Sequence, residues 1–249
     1  DVNDDGAMDV VVSNYAPWSP MDEGPWPWGL ATHMNSGGGE MLQEPRAPFP
    51  EALSTRGSVA ADVDGDGDQD LAVLWQEPTV GTSHKWQLLI NNSGMLDTSS
   101  FLSMELAGVG IPAPLEFADV DGDGDADAVC MSGSSRVMLN NGNGAFTTLG
   151  TYWVSGTGYF PMCFALMDMD NDGDRDQVWG HGGLDGGGPD SLFWNANDGT
   201  GAVGPAQFAC LAPLSVIPPL DGHFEYRLLR HPDLDLDGIE DLVLFNHDS

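Results

Sequence analysis

Positive charge is scarce in this sequence. Its 249 residues include 7 Lys and Arg against 39 Asp and Glu, which gives a formal net charge of −32. Proteins that bind nucleic acids or anionic membranes need clustered basic side chains, and a chain of this charge is repelled by polyanions. The composition therefore argues against nucleic acids and against direct membrane insertion or attachment.

Cysteine is also scarce, and long apolar segments are lacking. Cys130, Cys163 and Cys210 allow at most one disulfide, and their spacing does not fit a zinc site, so we expect at least two of them to be buried apolar residues. No segment is long and apolar enough to span a bilayer. With 41% hydrophobic and only 18% charged residues, the chain nevertheless has enough apolar material for a folded core.

Motifs that mark catalysis are missing. The sequence has no Ser-centred nucleophile elbow, no His-Glu-x-x-His motif and no phosphate-binding loop. A polysaccharide lyase needs a His or Tyr base near an Arg or a metal, and Tyr159, His181, His223 and Arg227 are conceivable members of such a set. Because no spacing selects them, we assign no catalytic residue and no organic cofactor, and we favour a non-enzymatic role.

Aspartate, in contrast, is abundant and concentrated in short loops. Residues 62–70 hold five acidic side chains in nine positions. Carboxylates about 4 Å apart repel each other by roughly 1 kcal/mol per pair even in water, so such a loop needs a cation. Asp62, Asp64 and Asp66 can converge on one ion, and Asp70 can close the shell. An all-oxygen cage of this kind suits Ca²⁺ better than Mg²⁺, which tends to keep its waters.

The pattern Asp-x-Asp/Asn-x-Asp-Gly-x-x-Asp occurs five times, at intervals of roughly 50 to 65 residues. We predict one Ca²⁺ per loop, about five in all, whereas the alternative is an acidic surface without metal. The predicted metal ligands occupy the first, third, fifth and ninth positions: Asp1, Asn3, Asp5, Asp9, Asp62, Asp64, Asp66, Asp70, Asp119, Asp121, Asp123, Asp127, Asp168, Asp170, Asp172, Asp176, Asp233, Asp235, Asp237 and Asp241.

Each acidic loop is predicted to be followed by a strand, and the last four loops are predicted to join two strands of a hairpin. Short apolar runs follow the loops, for example Leu71 to Trp75 and Ala128 to Met131. These runs are largely apolar on both faces, as expected for strands covered on both sides. An EF-hand would instead need a Glu at the twelfth loop position and flanking helices. That position holds Val12, Val73, Cys130, Trp179 and Leu244.

A second, weaker repeat follows the first four loops. Asn and Gly cluster after apolar segments, as in Leu88 to Gly94 and Val137 to Phe146, and supply the positive φ angles of tight hairpin turns. Four antiparallel strands per repeat predict an all-β chain built of β-propeller blades, with the acidic loop between the first two strands of each blade. The predicted blades are 1–54 (partial), 55–110, 111–158, 159–223 and 224–249 (partial).

These repeats resemble the FG-GAP/VCBS family. The resemblance rests on the Asp-rich loop before an apolar strand and on the downstream Asn-Asn-Gly-x-Gly-x-Phe pattern, which is clearest in Val137 to Phe146. It implies a calcium-stabilised propeller, commonly of seven blades, as found in integrin α-chain heads, fungal lectins and secreted bacterial proteins. At this repeat length such a ring needs on the order of 400 residues, so we expect the chain to be part of a larger ring.

The expected function follows from the loops. Low-affinity carboxylate loops fill at the millimolar calcium found outside cells, so we expect a secreted or cell-surface protein. The connections between the second and third strands are the expected binding surfaces for a protein or glycan. The segment Asn14 to Thr32 carries aromatic side chains suited to such contacts, namely Tyr15, Trp18, Trp26 and Trp28. The alternative is that these Trp side chains cover the edge of the blade as a local core. Assembly with further copies, or with further parts of its own chain, is also expected.

Three roles remain open at this point. The first is an adhesion, surface-assembly or ligand-binding module in which calcium is structural. The second is a secreted carbohydrate-active enzyme, similar to a polysaccharide lyase, on the same propeller. The third is a lectin, which would repeat aromatic residues at equivalent loop positions, whereas the connections here differ in length and content.

Overall fold

The computed structural model describes residues 1–14, 29–38, 41–43, 54–76, 84–92, 96–105, 114–131, 134–153, 163–181, 191–211, 224–231, 233–234, 236 and 240–248. Within these ranges the regular structure consists of strands. None of the described residues belongs to a helix long and apolar enough to cross a membrane.

The strands form antiparallel sheets whose order follows the chain. The first sheet contains Val10–Asn14 (β1), Gly29–Asn35 (β2) and Met41–Gln43 (β3). The second contains Ser54–Ala61 (β4), Asp70–Gln76 (β5), His84–Asn91 (β6) and Leu96–Glu105 (β7). The third contains Leu115–Ala118 (β8), Asp127–Met131 (β9), Ser134–Leu139 (β10) and Thr147–Trp153 (β11). The fourth contains Cys163–Met167 (β12), Asp176–His181 (β13), Ser191–Asn195 (β14) and Gln207–Leu211 (β15), and a further pair is formed by Phe224–His231 (β16) and Asp241–Asp248 (β17).

This topology confirms the predicted all-β fold and the strand order within a repeat. Each four-stranded sheet is a meander of sequential strands, as in a propeller blade. The acidic loops join β4 to β5, β8 to β9, β12 to β13 and β16 to β17, which are hydrogen-bonded neighbours. The predicted hairpins are therefore present, whereas the closed ring and its blade number stay predictions.

The connection predicted for Asn14 to Thr32 is shorter than expected at both ends. Asn14 is the last residue of β1 and pairs with Gly29, the first residue of β2. The strand pairing therefore extends to Asn14 and includes Gly29 to Thr32. The aromatic residues of this connection, Tyr15, Trp18, Trp26 and Trp28, lie outside the described residues.

The chain divides into two compact units, one of residues 1–112 with 141–145 and one of residues 113–140 with 146–249. In the first unit, β1 and β2 contact β4. In the second unit, β12 contacts both β8 and β16. Each unit therefore holds sheets that pack on one another in chain order, as propeller blades do.

The core of the second unit is centred on Trp179 of β13. Its ring stacks on Phe193 of β14 with centroids 4.6 Å apart and an interplanar angle of 16°. Its Nε1–H donates to Asn195 Oδ1 at 2.8 Å, which satisfies the polar edge of a buried side chain. The other buried members of this cluster come from the third acidic loop and from the third and fourth sheets: Val120, Val129, Met131, Val137, Phe164 and Leu166.

The strand after each loop was expected to be covered on both faces. All five residues of β9 are buried, and so are Leu71 to Leu74 of β5, which confirms the expectation for these strands. It is wrong for β1, where Val10 is 42% and Val12 is 36% exposed, because no described sheet covers that face. Cys130 in β9 is 2% exposed, as expected of a buried apolar residue.

Candidate metal centre

The acidic loops turn through two left-handed backbone positions. The sixth position has φ between 84° and 100° in the four loops where it is described, at Gly6, Gly67, Gly124 and Gly173. Glycine takes this conformation without steric cost, so its predicted role in the turn is confirmed there. The fourth position is left-handed as well, although only two loops have glycine there: Gly65, Gly122, Asp4, Asn171 and Leu236.

The first aspartate of each loop organises the turn that follows it. Asp62 Oδ1 accepts the N–H of Gly65 at 2.8 Å, and its Oδ2 accepts the N–H of Gly67 at 3.0 Å. Asp119 does the same in the third loop, and Asp1 and Asp168 accept the N–H groups at the fifth and sixth positions of their loops. Each of these four loops is therefore wrapped around its first carboxylate.

The ninth aspartate ties each of the first four loops to the end of a later strand, and it is buried in the second, third and fourth loops. Asp70 is 1% exposed, and its Oδ2 accepts the N–H of Val63 at 2.9 Å while its Oδ1 accepts that of Asn91 at 2.6 Å. The same pair of bonds recurs in three other loops, with Val2 and Asn35 for Asp9, Val120 and Asn140 for Asp127, and Met169 and Asn197 for Asp176.

Three loops bring three carboxylates together, with oxygens within 4.8 Å of one another. In the second loop these are the first, third and fifth residues, Asp62, Asp64 and Asp66. In the third and fourth loops they are the first, third and ninth residues: Asp119, Asp121 and Asp127, and Asp168, Asp170 and Asp176. Each cluster thus unites three of the four predicted ligands of its loop.

The other two loops differ. In the first loop the third position is Asn3, whose Nδ2–H donates to Asp5 Oδ2 at 3.2 Å, and Asp1, Asp5 and Asp9 form no such cluster. In the fifth loop Asp233 and Asp241 are described, and Asp241 Oδ2 accepts the N–H of Leu234. Asp235 and Asp237 lie outside the described residues, so this predicted site is only partly placed.

Burial and neighbouring charges raise the pKa of several carboxylates in the second, third and fourth loops. Burial raises the pKa of Asp70 from 3.8 to about 6, against the opposing effect of the bonds from Asn91 and Val63. Burial also raises the pKa of Asp127 and of Asp176. For Asp64 desolvation comes first and the negative charge of Asp66 second, and both raise its pKa. The ionised form of these aspartates is therefore disfavoured when no cation is bound beside them.

The sequence matches the model of the FG-GAP-like repeat over residues 1–73 and 119–179, more than half of the chain. The chain belongs to the FG-GAP-like repeat family. Its fold is also similar to a solved structure of an Agrocybe aegerita lectin that recognises non-reducing terminal N-acetylglucosamine, with a TM-score of 0.47 and 20% identity over 72% of this chain. That alignment covers 46% of the lectin, so this chain spans less than half of its length. No curated protein matches the chain.

The acidic loops of this FG-GAP-like repeat protein fit a divalent cation. Within the described residues, none of the nine clustered aspartates forms an ion pair with a basic side chain. The basic residue inside a loop, Arg175, instead pairs through Nη1 with Glu240 Oε2, from the same position of the next loop. Clusters of carboxylate oxygens are ligands that Ca²⁺ prefers. Calcium, one ion per loop and the ligand set stay predictions.

Asparagines that recur in the FG-GAP-like repeats have a role that the sequence did not reveal. Asn35, Asn91, Asn140 and Asn197 each donate their backbone N–H to the ninth aspartate of their own repeat. The sequence pattern marked them only as turn residues. Their recurrence downstream of every one of the first four loops is the signal that could have identified them.

The structure places only two of the four residues considered for a lyase. His181 ends β13 and Arg227 lies in β16, in different sheets. Tyr159 and His223 lie outside the described residues. The site geometry in the described residues is that of the acidic loops and of the groups that hydrogen-bond to their aspartates.

Proposed function

We propose that this chain is a calcium-stabilised propeller segment, part of a ring of about seven blades, that acts outside cells as a binding or adhesion module. The observation that carries the proposal is the recurrence of a three-carboxylate cluster in three of the acidic loops. Each of these loops also holds a buried ninth aspartate bonded to two backbone N–H groups.

Calcium has a structural role in this proposal. A bound Ca²⁺ neutralises carboxylates that otherwise repel, and it fixes the loop that joins two neighbouring strands of a blade. Because the ion binds the folded loop and not the unfolded chain, it stabilises the fold by mass action, by about 2.7 kcal/mol per site at 100 times the dissociation constant. The free millimolar calcium outside cells suits open carboxylate loops of this type, which supports a secreted or surface location.

Thermal unfolding tests the calcium part of the proposal. We expect the melting temperature to rise with added Ca²⁺, and to rise less with Mg²⁺ at the same concentration. Replacing Asp64→Asn and Asp121→Asn together should remove much of that gain, because each change deletes a carboxylate from a cluster. Asp4→Asn is the matched control, since Asp4 is exposed and not a predicted ligand. Equal melting temperatures in chelator and in Ca²⁺ would contradict the proposal.

The partner in this proposal is a protein or glycan bound by the connecting loops. Rigid blades that present variable connections are a common arrangement for recognition. A glycan array and a surface-protein array, each probed with and without Ca²⁺, test this part, and calcium-dependent binding is the expected result. Turnover of polysaccharides by the same preparation would favour the enzymatic alternative instead.

A further inference from the structure

A buried asparagine connects the third and fourth acidic loops. Asn197 donates its backbone N–H to Asp176 Oδ1 of the fourth loop at 2.8 Å. Its side-chain Nδ2–H donates to the carbonyl oxygen of Val120 in the third loop at 2.7 Å. Asn197 is 5% and Val120 is 4% exposed, so water does not compete for these bonds. One residue thus joins two predicted metal loops, through its backbone N–H to the fourth and through its side chain to the third.

The connection continues into both loops. Val120 lies between Asp119 and Asp121, the predicted ligands at the first and third positions of the third loop. Its own N–H donates to Asp127 Oδ2 at 2.9 Å. At the other end, Asp176 Oδ2 accepts the N–H of Met169 at 2.9 Å, and Met169 holds the same place in the fourth loop. An unbroken series of hydrogen bonds therefore runs from the ligand-bearing segment of one loop to that of the next.

The same arrangement occurs in the first unit. Asn91 donates its N–H to Asp70 Oδ1 of the second loop at 2.6 Å and its Nδ2–H to the carbonyl oxygen of Val2 in the first loop at 2.7 Å. Val2 in turn donates its N–H to Asp9 Oδ2 at 2.8 Å. Asn91 is fully buried, at 0% exposure. The two units thus show the same link independently.

We propose that Asn91 and Asn197 are positioning residues that couple calcium binding between neighbouring loops, so that an ion in one loop raises the affinity of the next. The proposal rests on the proposed calcium binding. An ion that draws together the carboxylates on either side of Val120 fixes the position of the Val120 carbonyl that Asn197 holds. Asn197 then holds Asp176 in place for the fourth loop.

The size of the coupling follows from the bond that transmits it. One hydrogen bond in a folded protein typically changes the equilibrium constant of the process that forms it by about a factor of five. We therefore expect loss of the third site to weaken calcium binding at the fourth site by about fivefold. Linkage requires the reciprocal effect, so loss of the fourth site should weaken the third by the same factor.

Site-resolved calcium titrations test the coupling. The backbone amide signals of Gly124 and Gly173 in NMR spectra report the third and fourth loops separately. The third site is disabled with Asp121→Asn and Asp123→Asn, and the affinity of the fourth loop is measured with Asn197 present and with Asn197→Ala. With Asn197 present, we expect loss of the third site to weaken calcium binding at the fourth loop about fivefold. With Asn197→Ala, we expect the same loss to weaken it by less than about twofold.

Asn195→Ala is the matched control. Asn195 is 3% exposed, but its Nδ2–H donates to the Gly204 carbonyl within its own repeat, at 2.9 Å. This variant should lower the melting temperature and leave the coupling unchanged, whereas a merely structural role for Asn197 would make both variants behave alike. Should Asn197→Ala not fold, Asn91→Ala is used with the signals of Gly6 and Gly67 in the first two loops.

The possible outcomes separate the two proposals. If neither glycine signal responds to Ca²⁺, the proposed calcium binding fails. If both respond, but the fourth loop binds Ca²⁺ equally well with and without a working third site, the coupling is overturned while calcium binding stands. If the coupling is present and survives Asn197→Ala, the assignment of Asn197 is overturned.

Discussion

The fourth residue of each acidic loop bears a backbone conformation that most side chains resist. Leu236 has a φ of 63°, in the left-handed region, and its side chain is 86% exposed. Left-handed backbone costs a residue with a Cβ atom roughly 1–2 kcal/mol, and an exposed side chain recovers little of this by packing. The second and third loops avoid the cost with Gly65 and Gly122 at this position.

Leu236→Gly should therefore stabilise the folded chain by about 1 kcal/mol, although glycine substitutions usually destabilise. Urea unfolding in Ca²⁺ measures the change. Leu234→Gly is the matched control, because Leu234 is also exposed, at 55%, but is not among the residues with positive φ. That change should be neutral or destabilising. The explanation is wrong if the two variants shift the unfolding midpoint in the same direction.

Residue roles were predictable only where a charge or a backbone angle demanded one residue type. The repeated aspartates pointed to a cation, and Gly67 and its equivalents pointed to a turn, because few other residues suit either task. The asparagines were not predictable from local pattern, since Asn next to Gly is common in any hairpin turn. Their bonds also reach aspartates 13 to 26 positions away in sequence, a separation that follows from the sheet and not from the motif.

At the scale of the element, the acidic loop and its hairpin behave as one unit. Strands on either side of the loop pair directly, as Ala61 does with Asp70 and Ala118 with Asp127. In the last four loops the ninth aspartate is thus both the end of the loop and the first residue of the next strand. The hairpins were predictable because the loops recur before apolar runs. The exposed face of β1 was not, because an apolar run does not tell which sheet lies beside it.

The charge of these loops predicts opposite pH effects with and without calcium. The pKa of Asp70 is 3.8 ordinarily and about 6 in the metal-free fold, so the folded chain binds this proton more tightly than the unfolded chain. Stability without metal should then increase as pH falls from about 7 to about 5, and this gain is lost as pH rises through about 6. Calcium needs the ionised carboxylate, so in Ca²⁺ the melting temperature should fall over the same acidification.

Melting curves in metal-free buffer and in excess Ca²⁺, recorded across this pH range, measure both trends. Asp70→Asn is the informative variant, because it removes the titrating group and should flatten the rise in metal-free buffer. Asp4→Asn, at an exposed position of another loop, should leave both trends unchanged. A metal-free protein that loses stability on mild acidification would contradict the explanation.

At the scale of the whole molecule, net charge sets how strongly the fold depends on ions. A formal charge of −32 on 249 residues creates repulsion that favours the unfolded chain. The sequence predicted this directly from composition, and it predicted sequential antiparallel sheets from the repeat. It could not predict how the chain divides into two compact units, because that depends on contacts between sheets and not on the repeat itself.

Monovalent salt should therefore stabilise the metal-free protein more than the calcium-loaded protein. Raising NaCl from about 20 mM to about 500 mM shortens the screening length from roughly 20 Å to roughly 4 Å, which weakens repulsion among all acidic side chains. In the loaded protein the ions already neutralise the densest clusters, so less repulsion remains to be screened. We expect the melting temperature without metal to rise by several degrees, and the rise in Ca²⁺ to be clearly smaller.

Titrating CaCl₂ and NaCl at matched ionic strength separates screening from site binding, because only binding saturates at low concentration. If the two salts have equal effects at every ionic strength, the acidic loops act as a diffuse charged surface and not as metal sites.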